Sequence, residues 1–438
     1  MKYFGTDGIR GIVDKTLNRK TIFALARSLD RYYKMHRLKP VLLVGNDTRL
    51  SSGYILSLVQ SILLKHGIEL HDVGVCTSPC LAYLTKKFNY PLSLMISASH
   101  NPSEYNGLKF FNSNGEKVDN TFEEEIEKFM TKKIKLKTNY KLKTDASKLK
   151  KYYINYLKNL KICENFNKKY DFLDKKIDKN KKFKFIFDCA NGATTEFAKE
   201  IFQKNKIINA RPNGENINKN SGCTHIEYLK FICEKTKSNG FAFDGDGDRI
   251  FAVTEKGDIL GGDEILFILS NHYLSKGDTL VGTIYTNSGL EKQLKKRGIN
   301  LARAGVGDKL VNALMKKLNS SIGGEDSGHI ILKSFLNTGD GMLVAIILMN
   351  IMKRTNLSLE ELMMGYEKDF QLRSNLAMPS FSMTNELKNL IDNSNARIII
   401  RPSGTEPVLR VFVEHSNRQI AQDTIKKINL LLAKQINK

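Results

Sequence analysis

The sequence predicts an α/β chain that ends in a small α+β unit, and three observations carry this. Short apolar runs alternate with segments of helical period along most of the 438 residues. Polar loops rich in Gly, Ser and Asp follow several of those runs directly, where α/β proteins gather ligands. Beyond residue 365 the pattern changes to strands around a polar loop and one amphipathic helix. At about 150 residues per domain the length suits three or four units. Breaks near residues 150, 250 and 365 give domains at 1–150, 151–250, 251–365 and 366–438.

In chain order, residues 41–44 (Val-Leu-Leu-Val) read as a buried strand, followed by a polar loop at 45–52 and a helix to residue 65. Residues 92–97 repeat the strand signal, with a loop at 98–106. Residues 107–111 form another strand, closed by a turn at 112–115. Further strands are expected at 183–187, 241–243, 250–254, 280–284, 301–304 and 321–323, and helices at 288–296, 308–318 and 340–353. The final unit has strands at 397–400 and 408–414 and a helix at 417–434.

With 41% hydrophobic and 26% charged residues, the chain is not disordered throughout. The net charge of +23 points first toward nucleic acid. Its placement argues otherwise: residues 132–184 hold 19 Lys against 5 Asp and Glu, which is +14 and leaves +9 for all the rest. The excess therefore reads as a local, solvated Lys- and Asn-rich face. The alternative is a polyanion-binding surface, because Tyr152, Tyr153, Tyr156 and Phe166 interleave the lysines. Six cysteines without a CxxC or zinc spacing fit a reducing compartment. The first eleven residues do not read as a signal peptide, and the apolar stretch at 342–349 is far short of a bilayer span, so a cytoplasmic protein is expected.

Four loops carry the chemistry. In Asp244-Gly245-Asp246-Gly247-Asp248-Arg249, three alternate carboxylates can converge on one hard cation such as Mg²⁺, and the glycines permit the bend. An EF-hand is excluded by Arg249 at the position that needs Gly and by flanks that read as strands. In Ser97-Ala98-Ser99-His100-Asn101-Pro102 a hydroxyl follows a buried strand, beside an imidazole; it is either a turn residue or a nucleophile or phosphate carrier. Lys109 lies in the next strand and, if turned inward, could move protons or stabilise a transferring phosphate. Arg401-Pro402-Ser403-Gly404-Thr405-Glu406-Pro407, with Arg410, offers guanidinium groups, hydroxyls and free N–H groups to a dianionic phosphate, or is an ordinary hairpin loop. Gly323-Gly324-Glu325-Asp326-Ser327-Gly328-His329 has the mix of a sugar-binding loop or of a polar hairpin. Together these are the parts of a phosphosugar phosphotransferase, and no P-loop pattern indicates nucleotide-dependent kinase chemistry.

With Gly5-Thr6-Asp7-Gly8-Ile9-Arg10-Gly11 added, these loops resemble, in order, the signature loops of the α-D-phosphohexomutases. The resemblance spans residues 5 to 410 and is nearest the amino-sugar branch, through the 107–111 run and Val306-Gly307-Asp308. It implies three related α/β domains and a small α+β phosphate-binding domain around a central cleft. It implies an isomerase in which Ser99 must be phosphorylated and one Mg²⁺ per active site sits on Ser99, Asp244, Asp246 and Asp248. Arg401, Ser403, Gly404, Thr405 and Arg410 would hold the non-reacting phosphate, and Glu325 and Ser327 the sugar hydroxyls. Lys109 and His329 would handle protons, with His100, Arg10 and Arg249 beside the phosphoserine. The implied substrate is glucosamine 6-phosphate, turned into glucosamine 1-phosphate; neutral hexose phosphates, or a non-catalytic polyanion-binding role, are the alternatives. The expected partner is this small phosphosugar, with neither membrane nor nucleic acid, and a homodimer is the family expectation. Asp326 stands where the branch has Gln, and Lys309 and Leu310 where it has Arg and Tyr, all in the presumed sugar-recognition region.

Overall fold

Four separate sheets organise the chain in a computed structural model, which describes residues 3–5, 7–131, 143–160, 182–377, 381–402 and 408–436. The first sheet comprises β1 (Ile9–Ile12), β2 (Val41–Asn46), β3 (Glu69–Val75), β4 (Leu92–Ile96), β5 (Tyr105–Asn112) and β6 (Lys143–Asp145), in the order β1-β5-β4-β2-β3-β6. The second comprises β7 (Phe185–Asp188), β8 (Lys206–Ile208), β9 (Asn239–Phe243), β10 (Ile250–Val253) and β11 (Ile259–Leu260), in the order β11-β10-β9-β7-β8. The third comprises β12 (Thr279–Thr283), β13 (Asn300–Ala304), β14 (Ile322–Gly324) and β15 (Ile330–Leu332), in the order β13-β12-β14-β15. The fourth is antiparallel, with β18 (Val408–His415) between β16 (Phe370–Ala377) and β17 (Arg397–Pro402).

The expected α/β class is the observed one, and the first three sheets share a plan. β4, β9 and β14 each pair in parallel with one neighbour, β2, β7 or β12. Each then turns back into an antiparallel partner, β5, β10 or β15. The turns at that switch are residues 97–104, 244–249 and 325–329, which are the serine, acidic and sugar-type loops. The apolar runs that signalled these strands are buried along their length, as in Leu92–Ile96 and Asn239–Phe243, which excludes water from the base of each loop. Side-chain caps begin many of the intervening helices; Asn18, Thr77 and Asp119 accept from the first-turn N–H groups of Arg19–Met35, Ser78–Lys87 and Asn120–Met130.

Two compact units result, one of residues 1–285 and 298–364, the other of residues 286–297 and 365–438. In the second, Glu414 of β18 binds Arg397 at 2.6 Å and the Ser288 N–H at 3.0 Å, joining the helix Ser288–Lys296 to the antiparallel sheet. Its core is Leu387, Leu409, Val411 and Val413 against the helix Arg418–Ile436.

Strand ends differ from the sequence expectation by no more than two residues. β3 carries Glu69, His71 and Asp72 between its apolar positions, which hid it from the apolar-run test. Much of the Lys-rich stretch, including Phe166, lies outside the described residues. Within the described part Tyr153 is a core residue whose hydroxyl donates to Asp340 at 2.6 Å, and so is no surface platform. No helix among the described residues is long and apolar enough to cross a membrane.

Candidate active site

Ser99 is buried at the β4–β5 turn with φ +53°. A left-handed serine costs about 1–2 kcal/mol, so the surroundings must impose it. Arg49, fully buried beyond β2, does much of that. Its guanidinium donates to the carbonyls of Ser99 (3.0 Å), Asn101 (2.7 Å), Tyr105 (3.0 Å) and Pro102, and Asp47 holds its Nε at 2.9 Å. Asn218 adds donors to the carbonyls of Ser99 (2.8 Å) and Asn101 (3.1 Å). The Ser99 hydroxyl is thereby aimed at Asp244, to which it donates at 2.6 Å. His100 Nδ1 lies 3.4 Å from the same oxygen; burial first, then Arg249 and Arg10, lower its pKa to about 3, so the ring is neutral.

Asp244, Asp246 and Asp248 are buried, with carboxylate oxygens within 4.8 Å of one another. A Cβ on Gly245 would stand 2.6 Å from the Ser99 carbonyl, so only glycine lets the acidic loop close onto the serine loop. Burial, then the other two carboxylates, push Asp244 up to about 8. Burial works the same way on Asp248, but Lys109, His329 and Lys117 override it and hold its carboxyl well below the usual range. Oδ1 of Asp246 and Oδ1 of Asp248 are buried without a hydrogen-bond partner. Orphaned, converging carboxylate oxygens fit a hard divalent cation.

Cations already crowd the cluster. Lys109 on β5 is buried, with Nζ 2.7 Å from Asp246, 3.1 Å from Asp7 and 3.9 Å from Asp248; against burial, Asp246 and Asp7 raise its pKa and keep it charged. Ser78 donates to the same Asp246 oxygen at 2.6 Å. Arg10 pairs with Asp7, and Arg249 sits with Nε 3.9 Å from Asp248. His329, bridged through its backbone to Arg249, lies with Nδ1 3.6 Å from Asp248 and Nε2 3.5 Å from Asp308. Those carboxylates raise its pKa against burial, whereas the Gly339 N–H donates into Nε2 at 3.1 Å and needs a lone pair there. The hydrogen bond is the more direct constraint and puts the proton of the neutral ring on Nδ1, facing Asp248.

In the third loop, Glu325 is buried and accepts from the Gly307 N–H at 3.0 Å; burial, then Asp308, push its carboxyl up. Ser327 keeps a buried hydroxyl oxygen without a partner. Lys309 turns its ammonium to Glu123 at 2.8 Å, and Leu310 is exposed, so neither joins Glu325 and Ser327. Asp326 accepts the Gly262 N–H through its backbone carbonyl.

The fold therefore gathers Arg10, Ser99, His100, Lys109, the three aspartates, Arg249, Glu325 and His329, residues spread over 320 positions of sequence, in the first unit. Arg401 and Arg410 face each other across β17 and β18 in the second unit. Ser403, Gly404 and Thr405 lie outside the described residues. Sequence reasoning missed Arg49, Asp47, Ser78, Lys117 and Asn218. For Asp47 and Arg49 a signal existed, a charged Asp-Thr-Arg directly after a buried strand. For Lys117 and Asn218 there was none.

Comparisons with known proteins agree with this geometry. Models of the phosphoglucomutase/phosphomannomutase family match in chain order: domain I at 1–137, domain II at 151–257, domain III at 261–369 and the C-terminal domain at 383–430. A curated phosphoglucosamine mutase of Bacillus subtilis (strain 168) is 37% identical over 446 residues, covering 98% of this chain and 97% of that one. The phosphoglucosamine mutase of Bacillus pumilus is 36% identical over 454 residues, with 99% of each chain covered. A phosphoglucomutase/phosphomannomutase family protein from Burkholderia thailandensis shares the fold at TM-score 0.77 and 19% identity, over 97% of this chain and 96% of that one.

Proposed function

This chain belongs to the phosphoglucomutase/phosphomannomutase family, the α-D-phosphohexomutases, and from that premise we propose that it interconverts glucosamine 6-phosphate and glucosamine 1-phosphate. The observation that carries the chemistry is Ser99, a strained, buried hydroxyl 2.6 Å from Asp244 in a triad with two orphaned oxygens. The amino-sugar assignment rests on the full-length relatives.

Ser99 carries the phosphoryl group between turnovers. Its phosphorus–oxygen bond breaks as the sugar O1 attacks, giving a bisphosphate; after the sugar turns round, Ser99 Oγ takes the 6-phosphoryl group. When bound at Asp244, Asp246 and Asp248, one Mg²⁺ per site supplies charge that neutralises the phosphoryl oxygens. Arg10 and Arg249 present fixed positive charge to the same oxygens in a water-poor setting, and Lys109 adds its own while protonated, which favours a transition state of spread negative charge. Lys109 and His329 exchange protons with the sugar hydroxyls, and His100, neutral, packs beside the serine oxygen. Glu325 and Ser327 orient the sugar ring. Arg401 and Arg410, with Ser403, Gly404 and Thr405, grip the phosphate that does not react. A division into four domains, drawn at 1–150, 151–250, 251–365 and 366–438, belongs to the same proposal; the four separate sheets support the number, but the boundary at 250 falls inside the second sheet, whose β10 and β11 extend it to Leu260. A cytoplasmic location and a homodimer belong to the proposal too, and both follow the family reading.

The test is a panel of initial rates on glucosamine, glucose and mannose phosphates, using protein whose Ser99 phosphorylation is quantified by mass spectrometry. Preference for glucosamine phosphate supports the assignment. Preference for a neutral hexose phosphate overturns it and leaves the family intact, and salt-dependent nucleic-acid binding without turnover supports the polyanion-binding alternative.

A further inference from the structure

Lys117 is an almost fully buried lysine to which the mechanism above gives no role. It follows β5 on the 113–118 segment, and its Nζ meets three carboxylates: Asp7 at 2.7 Å, Asp308 in direct contact, and Asp248 at 3.9 Å. Each partner belongs to a different part of the site. Asp7 also holds Arg10 and Lys109. Asp248 is the last carboxylate of the acidic triad. Asp308 starts the helix Asp308–Lys317, lies 3.5 Å from His329 Nε2, and follows Gly307, whose N–H holds Glu325.

Two other ion pairs reach the helix Asp308–Lys317, Glu116 to Lys316 from the same segment and Glu123 to Lys309 from the helix Asn120–Met130. Neither touches a site residue. Lys316 is about half exposed, and such pairs contribute little. The Lys117–Asp308 pair differs: both side chains are more than nine-tenths buried, and its partners are the loops that carry the chemistry. A lysine without a third carboxylate would suffice to glue two surfaces. One that spans three loops fixes their separation.

We propose that Lys117 is a positioning residue that sets the distance between the phosphoserine loop and the Glu325–His329 loop for phosphoryl transfer. The inference rests on the mutase reading. Lys117 comes from the strand-end that follows Lys109, so it is tied to the serine side of the site. Through Asp308 it locks the Gly307 N–H that fixes Glu325 and the carboxylate that faces His329. Loss of the ammonium frees the 305–308 loop to drift, and a misplacement of about 1 Å between reacting groups lowers turnover about 100-fold while leaving phosphate binding largely unchanged.

The test compares kcat, KM and thermal midpoint at saturating Mg²⁺ for the wild type, Lys117→Met, Lys117→Arg, and the double variant Lys117→Met with Asp308→Asn. Lys316→Met is the control, since its ion pair lies off the site. The expected result is a fall in kcat of about 100-fold for Lys117→Met with KM changed less than about 3-fold, partial rescue by Lys117→Arg, and wild-type kcat for Lys316→Met. In the double variant the thermal midpoint recovers, because no buried charge is left unpaired, while kcat stays low. Recovery of kcat in step with the midpoint, or a folded Lys117→Met with normal kcat, overturns the inference. Should Lys117→Met not fold, the double variant decides alone. A wild type without hexose-phosphate turnover counts against the mutase reading itself; normal wild-type turnover with an unaffected Lys117→Met counts against the positioning role only.

Discussion

Replacing Arg49 by Met tests how the fold imposes the serine geometry. Arg49 is fully buried and pairs with Asp47, which is buried as well. Its removal strands the Asp47 carboxylate, whose pKa burial already pushes up, and takes a donor from four loop carbonyls. Asn218 still serves two of them, those of Ser99 and Asn101, so the main loss is the broken buried pair, about 3–5 kcal/mol. For a cooperative unit of roughly 350 residues, with an unfolding entropy of about 2.1 cal/mol/K per residue, that is a fall of about 4–7 °C in thermal midpoint. Without the clamp Ser99 also relaxes from its left-handed conformation, its hydroxyl leaves Asp244, and turnover falls about 100-fold. Scanning fluorimetry and initial rates measure both quantities. Adding Asp47→Asn removes the stranded charge, so the midpoint recovers and the rate does not. An Arg49→Met protein with an unchanged midpoint, or with wild-type turnover, would refute the reasoning.

Ser99→Ala removes the phosphoryl acceptor and one hydrogen bond, so a folded protein with turnover reduced by more than about 1000-fold is expected, and near-normal rates with added hexose bisphosphate would sink the phosphoserine assignment. Asp246→Asn takes a charge from the triad and from Lys109; the Mg²⁺ concentration for half-maximal rate should rise about tenfold or more, and an unchanged Mg²⁺ titration rejects the ligand role. Asp340 caps the helix Gly341–Thr355, and burial raises its pKa to about 6 from 3.8. Because the folded value is the higher one, its contribution favours the fold below pH 4 and is lost as pH rises to 6, about 3 kcal/mol in all. Asp340→Asn keeps Oδ1 for the cap and puts an NH2 where Oδ2 accepted from Tyr153, so that contact survives only with the phenol oxygen as acceptor; with the buried charge gone, its thermal midpoint at pH 8 should equal or exceed the wild type's, and a lower midpoint there contradicts the argument.

Much of this protein was determined by local sequence. Apolar runs such as those at 41–44 and 92–96 specify strands because nothing else buries them, and the polar loops that follow such runs were legible as candidates for chemistry. Asp244, Asp246 and Asp248 are legible as candidate ligands because three alternate carboxylates with glycines between them have few other uses. Even the placement of the charge, +14 within 132–184, was enough to separate bulk lysines from the chemistry.

What tertiary structure alone decided is which ordinary residues became special. Lys117 is one lysine among many in a basic chain, with no spacing rule to mark it, and Lys109 was a candidate only on the condition that its strand turned it inward. They became site cations because β5 and the segment after it run beside loops from three sheets, which put Asp7, Asp246, Asp248 and Asp308 around them. Lys309, by contrast, looked like a specificity residue and was drawn to Glu123 instead. Arg49 organises a serine fifty positions away through backbone carbonyls, whose acceptors every residue offers and no sequence pattern reveals. Local periodicity follows from burial of neighbours along the chain; the electrostatics of a buried site depend on which distant charges share one low-dielectric space, and only the folded arrangement fixes that.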